Sequence, residues 1–573
     1  MKRANLRLIK VKGDLAVRSG LNFSRLEGDW YRPEEIFKAD SHGWPGDWEG
    51  RVILALTMLE QSTHRTSAYL DEIMSILPAH LNKKGYLGPI LPEGVFDEQH
   101  FSGQSWMLRA LAAYYNYRKD PQALAVLEGM VKNFLLPAKG SYSLYPIEPG
   151  TRFKARTPWV LSHLQTKTKH HAETSDAGCV FMMIDGATTA YEITRDPALR
   201  ELIDEMIGRY MEADLEALNI QTHATLSAAR GILRLYKITG EKRYLDMALE
   251  RYRLYRQAAW TECYGNFNWF GAPRWTESCA IIDSFIVAVK LWQYTGDPSF
   301  LNDSHLIYYN ALSHGNRING SFGTDRCCGA LETEDNLFLA PVNYETYWCC
   351  TMRGGEGFSR AIGYCCFTES DTVILPFYHS FEADLTLENG PVSFEVVSKY
   401  PFQDSIEIII KKAGLKSPCR FDLFAPEWAG DVRLSLNNRE QRCERTRNGF
   451  ISLEQIFQPG DVITLNLDMR TRCEQTRFDN CVRGYHKFFY GPMLLGREAE
   501  KEINSTDGNR FENYAESRYK SSGIVNIPED AKLTRAEDGV FRVDGTDILL
   551  SALCSVRNMT GEDTMRQILF KGN

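Results

Sequence analysis

LWQYTGDPSFL, at residues 291–301, has the pattern of a chain that leaves one helix and enters the next. Gly296 suits the left-handed conformation that follows a helix, because it has no Cβ atom. Asp297 is a favoured N-cap residue, and Pro298 is favoured at the first helical position. The stretch therefore predicts a helical hairpin with a very short turn.

The same design recurs upstream. The other copies are YYNYRKDPQAL at residues 114–124, AYEITRDPALREL at 190–202 and LYKITGEKRYLDMA at 235–248. Hairpins repeated between about residues 45 and 315 predict a solenoid or, if the array closes, a toroid of paired helices. Their spacing is too irregular for a strict tetratricopeptide array. A closed toroid would offer its central cleft as the natural place for a site.

The pattern changes after about residue 370, where short β-branched or alternating runs are separated by Gly, Pro and Asn. Examples are DTVILPFY, PVSFEVVSKY, SIEIIIKK and GDVITLNLDM, which are typical of antiparallel strands in a sandwich. The N-terminal MKRANLRLIKVKGDLAV also alternates and predicts a strand. We therefore expect an N-terminal strand segment that joins the sandwich (residues 1–25), a helical toroid (26–370) and a β-sandwich region (371–573).

Charge and composition argue against several classes of partner. The net charge is −8 and there is no long basic run, so nucleic acid is not expected as a partner. No run of about 18 apolar residues occurs, so a membrane-spanning helix is not expected. The N-terminus lacks the apolar segment of a secretory signal, and the 14 cysteines then indicate a reducing, cytoplasmic location.

Two short stretches offer metal ligands. TYWCCTMRGG contains the adjacent pair Cys349 and Cys350, and RWTESCA contains Glu277 and Cys279. Positions i and i+2 of an extended segment face the same side, so Glu277 and Cys279 can reach one ion. Two thiolates from elsewhere in the chain would complete four ligands, and zinc accepts mixed sulfur and oxygen ligation.

Spacing alone leaves a second interpretation of these cysteines open. A free cysteine usually behaves as a small buried hydrophobe, and the spacing matches no standard zinc finger. We favour this core interpretation for Cys179, Cys263, Cys365 and Cys366.

Glu262 is a candidate acid. It lies fifteen residues before Glu277, in the aromatic-rich stretch WTECYGNFNWF. A carboxyl group against aromatic walls is disfavoured in its charged form, which is the property that a general acid requires. The alternative is an ordinary glutamate at a helix end, which composition alone would favour.

Several motifs together resemble glycoside hydrolase family 127, the β-L-arabinofuranosidases, and its relative family 146. The resemblance spans roughly residues 45–500. TESCA resembles the family's Glu-Thr-Cys-Ala, YWCC resembles its double-cysteine motif, and ECYGNFNWF resembles the segment that opens with its acid/base glutamate. HLIYYNALSHGNRINGSFGTD, FAPEWAGDVRLSLNN and YGPMLLG are similar to further family motifs in the same order. The resemblance implies an (α/α)6 barrel followed by antiparallel β-sandwich domains.

The resemblance also implies roles for particular residues. Cys349 matches a zinc-bound cysteine nucleophile, and Glu262 matches the acid/base. Zinc is the implied cofactor, and its implied ligands are Glu277, Cys279, Cys349 and Cys350. The residues that we expect to contact the sugar are His223, Gln104 and Trp275.

The chain departs from the family 127 pattern after the cysteine pair. It continues Thr-Met-Arg-Gly-Gly-Glu where the family has Pro-Pro-Asn, and Glu356 stands where family 146 carries a glutamate. Gln104 stands where the family usually has histidine. The implied metal ligands are therefore kept, whereas the implied sugar contacts differ.

The expected function is that of a retaining glycoside hydrolase that releases a furanose, with β-L-arabinofuranose as the default. One alternative is a hydrolase of another unusual glycan sugar. A polysaccharide lyase shares the toroid-plus-sandwich plan, but its base would have to come from His170, His171 or Tyr191. A third alternative is a non-catalytic, zinc-stabilised glycan-binding protein. In each case the partner is a carbohydrate, and a homo-oligomer is compatible with the sequence.

Overall fold

The computed structural model describes residues 1–38, 43–91, 96–150, 165–167, 171–174, 176–330, 334–476, 482–503, 519–555 and 565–572. Within these ranges the N-terminal part of the protein, up to Tyr364, contains twelve α-helices of nine or more residues. They are α1 (Gly13–Leu26), α2 (Asp47–Thr63), α3 (Leu70–His80), α4 (Glu98–Arg118), α5 (Pro121–Met130), α6 (Met183–Thr194), α7 (Pro197–Glu212), α8 (Thr222–Thr239), α9 (Lys242–Ala258), α10 (Ser278–Thr295), α11 (Pro298–Leu306) and α12 (Cys350–Tyr364).

Six of these helices form a closed inner ring. Each of α2, α4, α6, α8 and α10 contacts the next in this series, α10 contacts α12, and α12 closes the ring against α2. The outer layer consists of α1, α3, α5, α7, α9 and α11, each packed against an inner helix. The predicted helical toroid, an (α/α)6 barrel, is confirmed.

The four predicted hairpins are confirmed, and all four have the same backbone conformation at the turn. The residue after the inner helix is left-handed in each hairpin, at Lys119, Arg195, Gly240 and Gly296. In three of them the aspartate that follows caps the outer helix, and its side chain accepts a hydrogen bond from a first-turn N–H group. Short connections make each inner helix from α2 to α10 antiparallel to the outer helix that follows it.

The prediction of a strand over residues 1–25 is wrong for its second half. Only Lys2–Arg3 and Ile9–Val11 are strands, and Gly13 begins helix α1. The buried residues of α1 recur at helical spacing, as in Leu15, Arg18, Ser19 and Asn22, which the alternation of the first residues concealed. Helix α1 packs outside α12 and completes the outer layer.

Two sheets after the barrel pack as a sandwich. The ring of Phe394 in one sheet lies edge-on against Phe421 in the other, with centroids 5.3 Å apart. The five-stranded sheet contains, in spatial order, Lys2–Arg3, Phe367–Glu369, Thr372–Leu375, Cys419–Phe424 and Phe450–Gln455. The seven-stranded sheet contains Arg439–Gln441, Ala429–Leu436, Val462–Met469, Ser405–Ala413, Gly390–Ser398, Phe381–Leu387 and Ile9–Val11. The predicted β-sandwich is confirmed, and both N-terminal strands pair with it.

A third sheet follows the sandwich and contacts the barrel. Its central path is Thr471–Gln475, His486–Tyr490, Met493–Ile503, Leu549–Ala552, Val540–Val543 and Leu533–Glu537. Met493–Ile503 also pairs with Tyr519–Ser522 and with Met565–Gln567, which in turn pairs with Phe338–Leu339. Small sheets in the barrel loops are formed by Phe96–Asp97, His171–Thr174 and Gln165–Lys167, and by Thr324–Asp325 and Pro341–Asn343.

The connectivity places the N-termini of the inner helices at one end of the barrel, called here the mouth. Since every inner helix is antiparallel to its outer partner, the connections from an outer helix to the next inner helix all lie at the mouth. The positive ends of six helix dipoles therefore meet there, which favours negatively charged groups. Among the described residues, none of the helices combines the length and apolar character needed to span a lipid bilayer.

Candidate active site and metal centre

Four potential metal ligands lie together at the starts of two inner helices. Glu277 is the N-cap residue of α10, and Cys279 is the second residue of that helix. Cys349 is the N-cap residue of α12, and Cys350 is its first residue. Because α10 and α12 are neighbours in the inner ring, these two helix starts meet at the mouth.

Two of the three sulfur–sulfur distances in this group are close to those around a tetrahedral zinc ion, and the third is shorter. The Sγ atom of Cys279 lies 3.1 Å from that of Cys349 and 3.6 Å from that of Cys350. The two adjacent thiols are 3.9 Å apart, and Cys349 Sγ is 3.8 Å from Glu277 Oε1. A zinc ion with bonds of about 2.3 Å to sulfur holds its sulfur ligands about 3.8 Å apart.

The donor set also fits a thiophilic cation. All four ligand atoms lie within 4.8 Å of one another, and the three cysteines are free thiols. The second carboxylate oxygen of Glu277 is buried without a hydrogen-bond partner. Cys279 and Cys350 are buried, whereas Cys349 is half-buried and is the one thiol of the three that is open to the mouth.

Without a cation the three thiols cannot all ionise. Burial and the two neighbouring thiols raise the pKa of Cys279 well above its usual value. The hydrogen bond with Cys279 lowers the pKa of Cys349, but the hydrogen bond with Cys350 and burial outweigh it and raise that pKa to about 12. A cation is the group that would allow the thiolates to coexist, because it replaces this mutual repulsion by attraction.

Arg51 brings a positive charge to the cluster. Its Nη1 atom donates to Cys279 Sγ at 3.4 Å. Its guanidinium is held by Asp47, with Nε 2.6 Å from Oδ1, and lies 3.9 Å above the ring of Trp106. The N-terminal part of α2 therefore supplies a fixed cation beside the candidate sulfur ligands.

His223 lies behind the candidate ligand Glu277. Its Nδ1 atom is 3.4 Å from Glu277 Oε1, and its Nε2 atom is 3.5 Å from Asp283 Oδ2. Burial lowers the pKa of His223, but the charges of Glu277 and Asp283 outweigh it and raise that pKa. The side chain is buried, so its geometry suits holding Glu277 in place, and the expected sugar contact stays a prediction.

Glu262 lies in a tight hairpin between α9 and α10, also at the mouth. Tyr264, the left-handed residue of this hairpin, allows the chain to return to Asn266, whose Oδ1 accepts a hydrogen bond from the backbone of Glu277. Glu262 is buried, and Lys487 Nζ from the third sheet donates to its Oε2 at 2.6 Å. The hairpin therefore couples the candidate acid to the ligand Glu277, and the partner lysine arrives from a separate unit of the fold.

The other expected sugar-contacting residues lie in two different environments. Gln104 is buried in α4 and donates to the carbonyl oxygens of Pro45 and Leu87, so it fixes two loops of the mouth. Trp275 is half-buried, two residues before Glu277, and packs edge-on against Trp269 at 5.0 Å. Of the two, Trp275 is open to a ligand at the mouth.

The polysaccharide lyase alternative requires a base from His170, His171 or Tyr191. Of these three side chains the structure describes only that of Tyr191, and it lies away from the cysteine cluster. Tyr191 lies in the last turn of α6, at the end of the barrel opposite the mouth. His170 is outside the described residues, and the side chain of His171 is not described.

Residues 372–469 match the family model of the β-L-arabinofuranosidase GH127 middle domain. The resemblance to glycoside hydrolase family 127 is confirmed. The matched segment covers most of the sandwich and lies directly after the barrel that carries the cysteine cluster. No curated protein is significantly similar to this chain in sequence.

Solved structures share this fold over the whole chain. A GH127 β-arabinofuranosidase superposes with a TM-score of 0.68 at 15% identity, covering 100% of this chain and 98% of that one. A glycoside hydrolase gives a TM-score of 0.69 at 14% identity, covering 100% and 97%. A GH127 β-L-arabinofuranosidase from Geobacillus stearothermophilus T6 gives 0.67 at 12%, covering 99% and 100%. At these identities the likeness establishes the fold.

A buried charge network inside the barrel was missed by the sequence analysis. Glu356 Oε2 accepts from Arg109 and its Oε1 accepts from Arg230, both at 2.5 Å, and it also pairs with Arg353. Asp283, which contacts His223, pairs with Arg230 and Arg353. The network links four inner helices directly below the cluster. The one signal was the i, i+3 spacing of Arg353 and Glu356, which does not reveal the partners.

Asp176 was also missed. It lies half-buried in the connection that leads to α6, at the mouth. Burial and the nearby Glu277 and Cys349 raise the pKa of Asp176 to about 8. A single aspartate in a segment without a motif carries no signal that sequence reasoning can use.

Proposed function

We propose that this protein is a retaining glycosidase that releases a furanose, by default β-L-arabinofuranose, with Cys349 as the nucleophile. The observation that carries the proposal is one half-exposed sulfur on a buried cluster of three thiols and a carboxylate at the mouth of the barrel. The match to the GH127 middle domain and the fold shared with β-L-arabinofuranosidases support the substrate class.

The residues at the mouth suit a double displacement. The Cys349 thiolate attacks the anomeric carbon, the carbon–sulfur bond forms, and the bond to the leaving oxygen breaks as that oxygen takes a proton from Glu262. Water then attacks the same carbon, Glu262 takes its proton, and the carbon–sulfur bond breaks. Two inversions retain the configuration of the sugar.

The cofactor in this proposal is zinc, held by Glu277, Cys279, Cys349 and Cys350. Bound there, zinc would keep the thiol of Cys349 deprotonated at neutral pH. Arg51 and His223 keep the ligands in position, the first beside Cys279 and the second behind Glu277. The positive ends of the inner helices favour the negative charge that the cluster carries.

Metal analysis tests the site. Purified protein is expected to contain about one zinc per chain, and Cys279→Ala is expected to lose most of it, because a buried ligand that contacts both other thiols is removed. Cys443→Ala is the matched control, since Cys443 is a half-buried thiol in the sandwich. Elemental mass spectrometry measures the amount of zinc per chain in each protein. Less than half an equivalent in the wild type, or full zinc in Cys279→Ala, would contradict the proposal.

Hydrolysis of aryl β-L-arabinofuranosides with different leaving groups tests the acid/base. Glu262→Gln is expected to lower kcat/KM about 10²- to 10⁴-fold for a poorly departing phenol, because that oxygen needs a proton. For dinitrophenol, which departs as an anion, the loss should be far smaller. A structural role predicts equal losses for both leaving groups. Equal losses would therefore remove Glu262 from the mechanism while leaving the Cys349 proposal intact.

A further inference from the structure

Trp30 is a large aromatic side chain that remains exposed at the mouth. It lies in the connection from the outer helix α1 to the inner helix α2, which the connectivity places at the same end as the cluster. Its exposed fraction is 45%, although an indole of this size is usually largely buried. The exposed part of the indole is therefore available to a ligand at the mouth.

The position of Trp30 is fixed by the segment that carries the nucleophile. The indole is stacked on the ring of Tyr347, with centroids 4.3 Å apart and planes inclined by 22°. The hydroxyl of Tyr31 donates to the carbonyl oxygen of Tyr347 at 2.8 Å, and Arg25 makes two hydrogen bonds to Glu345 at 2.9 and 2.8 Å. Three independent contacts therefore hold the Trp30 segment against residues 345–347.

An aromatic surface thus continues from the cluster outwards. Tyr347 is two residues before Cys349, and its ring also meets Trp348 edge-on at 4.8 Å. Trp30 extends this surface to the solvent, and the exposed ion pair of Asp29 and Arg32 flanks it at 2.6 Å. Flat rings bordered by charged side chains suit a sugar ring, whose C–H face is apolar and whose hydroxyl groups need hydrogen-bond partners.

We propose that the exposed face of Trp30 is a binding platform for a second sugar ring, the one that departs with the anomeric oxygen. The proposal rests on the proposed function and specifies its substrate class: a glycan in which the released furanose is linked to another sugar. The aromatic surface formed by Trp30 and Tyr347 lies beside the segment that carries the proposed nucleophile. It is therefore available to the second sugar ring, which does not enter the cleft.

The test compares two substrates in the zinc-loaded protein. One is p-nitrophenyl β-L-arabinofuranoside, and the other is an oligosaccharide with a terminal β-L-arabinofuranose. Trp30→Ala is expected to raise KM for the oligosaccharide about threefold to tenfold more than KM for the aryl glycoside. Trp30→Phe, which keeps a stacking ring, should restore most of this difference. Ile456→Ala, an equally exposed apolar residue on the sandwich, is the control and should leave the ratio unchanged.

Binding supplies a readout that does not depend on turnover. In the Cys349→Ser background, the affinity for the oligosaccharide measured by titration calorimetry should fall by the same factor when Trp30 is replaced by alanine. A wild-type protein that hydrolyses neither substrate would contradict the proposed function. The calorimetric affinity would still show whether Trp30 binds a sugar ring. Equal effects of Trp30→Ala on both substrates, or an unchanged oligosaccharide affinity, would overturn the platform.

Discussion

Cys349→Ser is expected to lower kcat on an aryl β-L-arabinofuranoside by about 10⁴-fold or more, as for other enzymes that lose their covalent nucleophile. A hydroxyl group is not deprotonated near neutral pH and is a poorer nucleophile than a thiolate. The exposures of the three thiols single out this residue, since Cys279 and Cys350 are buried and Cys349 is half-buried. Steady-state kinetics together with metal content provides the measurement.

The control for this prediction is Cys443→Ser, which changes a half-buried thiol in the sandwich and should keep full turnover. The metal content separates two causes of inactivity. If Cys349→Ser still binds zinc through the other three ligands and is inactive, the loss belongs to the nucleophile. If the variant binds zinc and keeps more than a tenth of wild-type turnover, Cys349 is not the nucleophile.

Glu356→Gln is expected to lower the free energy of unfolding by ~3–5 kcal/mol, the range measured when one partner of a buried ion pair is removed. Glu356 is buried and pairs with Arg109, Arg230 and Arg353. The substitution keeps the shape of the side chain but leaves three buried guanidinium groups with one negative charge fewer. Denaturant unfolding followed by circular dichroism provides the measurement.

Glu201→Gln is the matched control for this loss of stability. Glu201 pairs with Lys139 on the surface, with its side chain 64% exposed, so its removal should cost less than ~1 kcal/mol. A destabilisation of Glu356→Gln no larger than that of the control would show that the network contributes little to folding.

The acid dependence of stability follows from the same group. Burial raises the pKa of Glu356, but Arg109, Arg230 and Arg353 outweigh it and hold that pKa well below its usual value. A carboxyl group with a lowered folded-state pKa stabilises the fold above its unfolded pKa, and the stabilisation disappears as the pH falls towards the folded value. Loss of stability below about pH 4.5 should therefore be shallower in Glu356→Gln than in the wild type.

The network also supports the candidate site. Asp283 pairs with Arg230 and Arg353, and the same carboxylate contacts His223, which contacts the ligand Glu277. The glycines of the Arg353–Glu356 turn are explained by packing, since a Cβ atom at Gly354 would lie 2.4 Å from the ring of Phe322. The residues that depart from the family 127 pattern after the cysteine pair therefore serve the buried charge network and the packing of the barrel.

Local signals in the sequence determined the helical hairpins. Gly296, Asp297 and Pro298 act through backbone conformation and first-turn hydrogen bonds, which depend only on near neighbours in the chain. Helix α1 was missed because the strand Ile9–Val11 directly precedes it and alternates, and its apolar residues become one buried face only against α12. The candidate ligands Glu277, Cys279, Cys349 and Cys350 were recognised from motifs, although spacing alone did not show whether they bind a metal.

Tertiary structure alone decided the partners of the buried charges. Lys487 reaches Glu262 from 225 residues away, and Glu356 meets arginines from two other inner helices. Trp30 contacts the segment before Cys349 in the same way, through a stack on Tyr347. These contacts form because the inner helices close into a ring and because the third sheet packs against the barrel. The free energy of each contact depends on the desolvation and the charges of the two side chains that it joins. The sequence by itself therefore determined the hairpins and the candidate ligands, whereas the closed barrel decided what surrounds them.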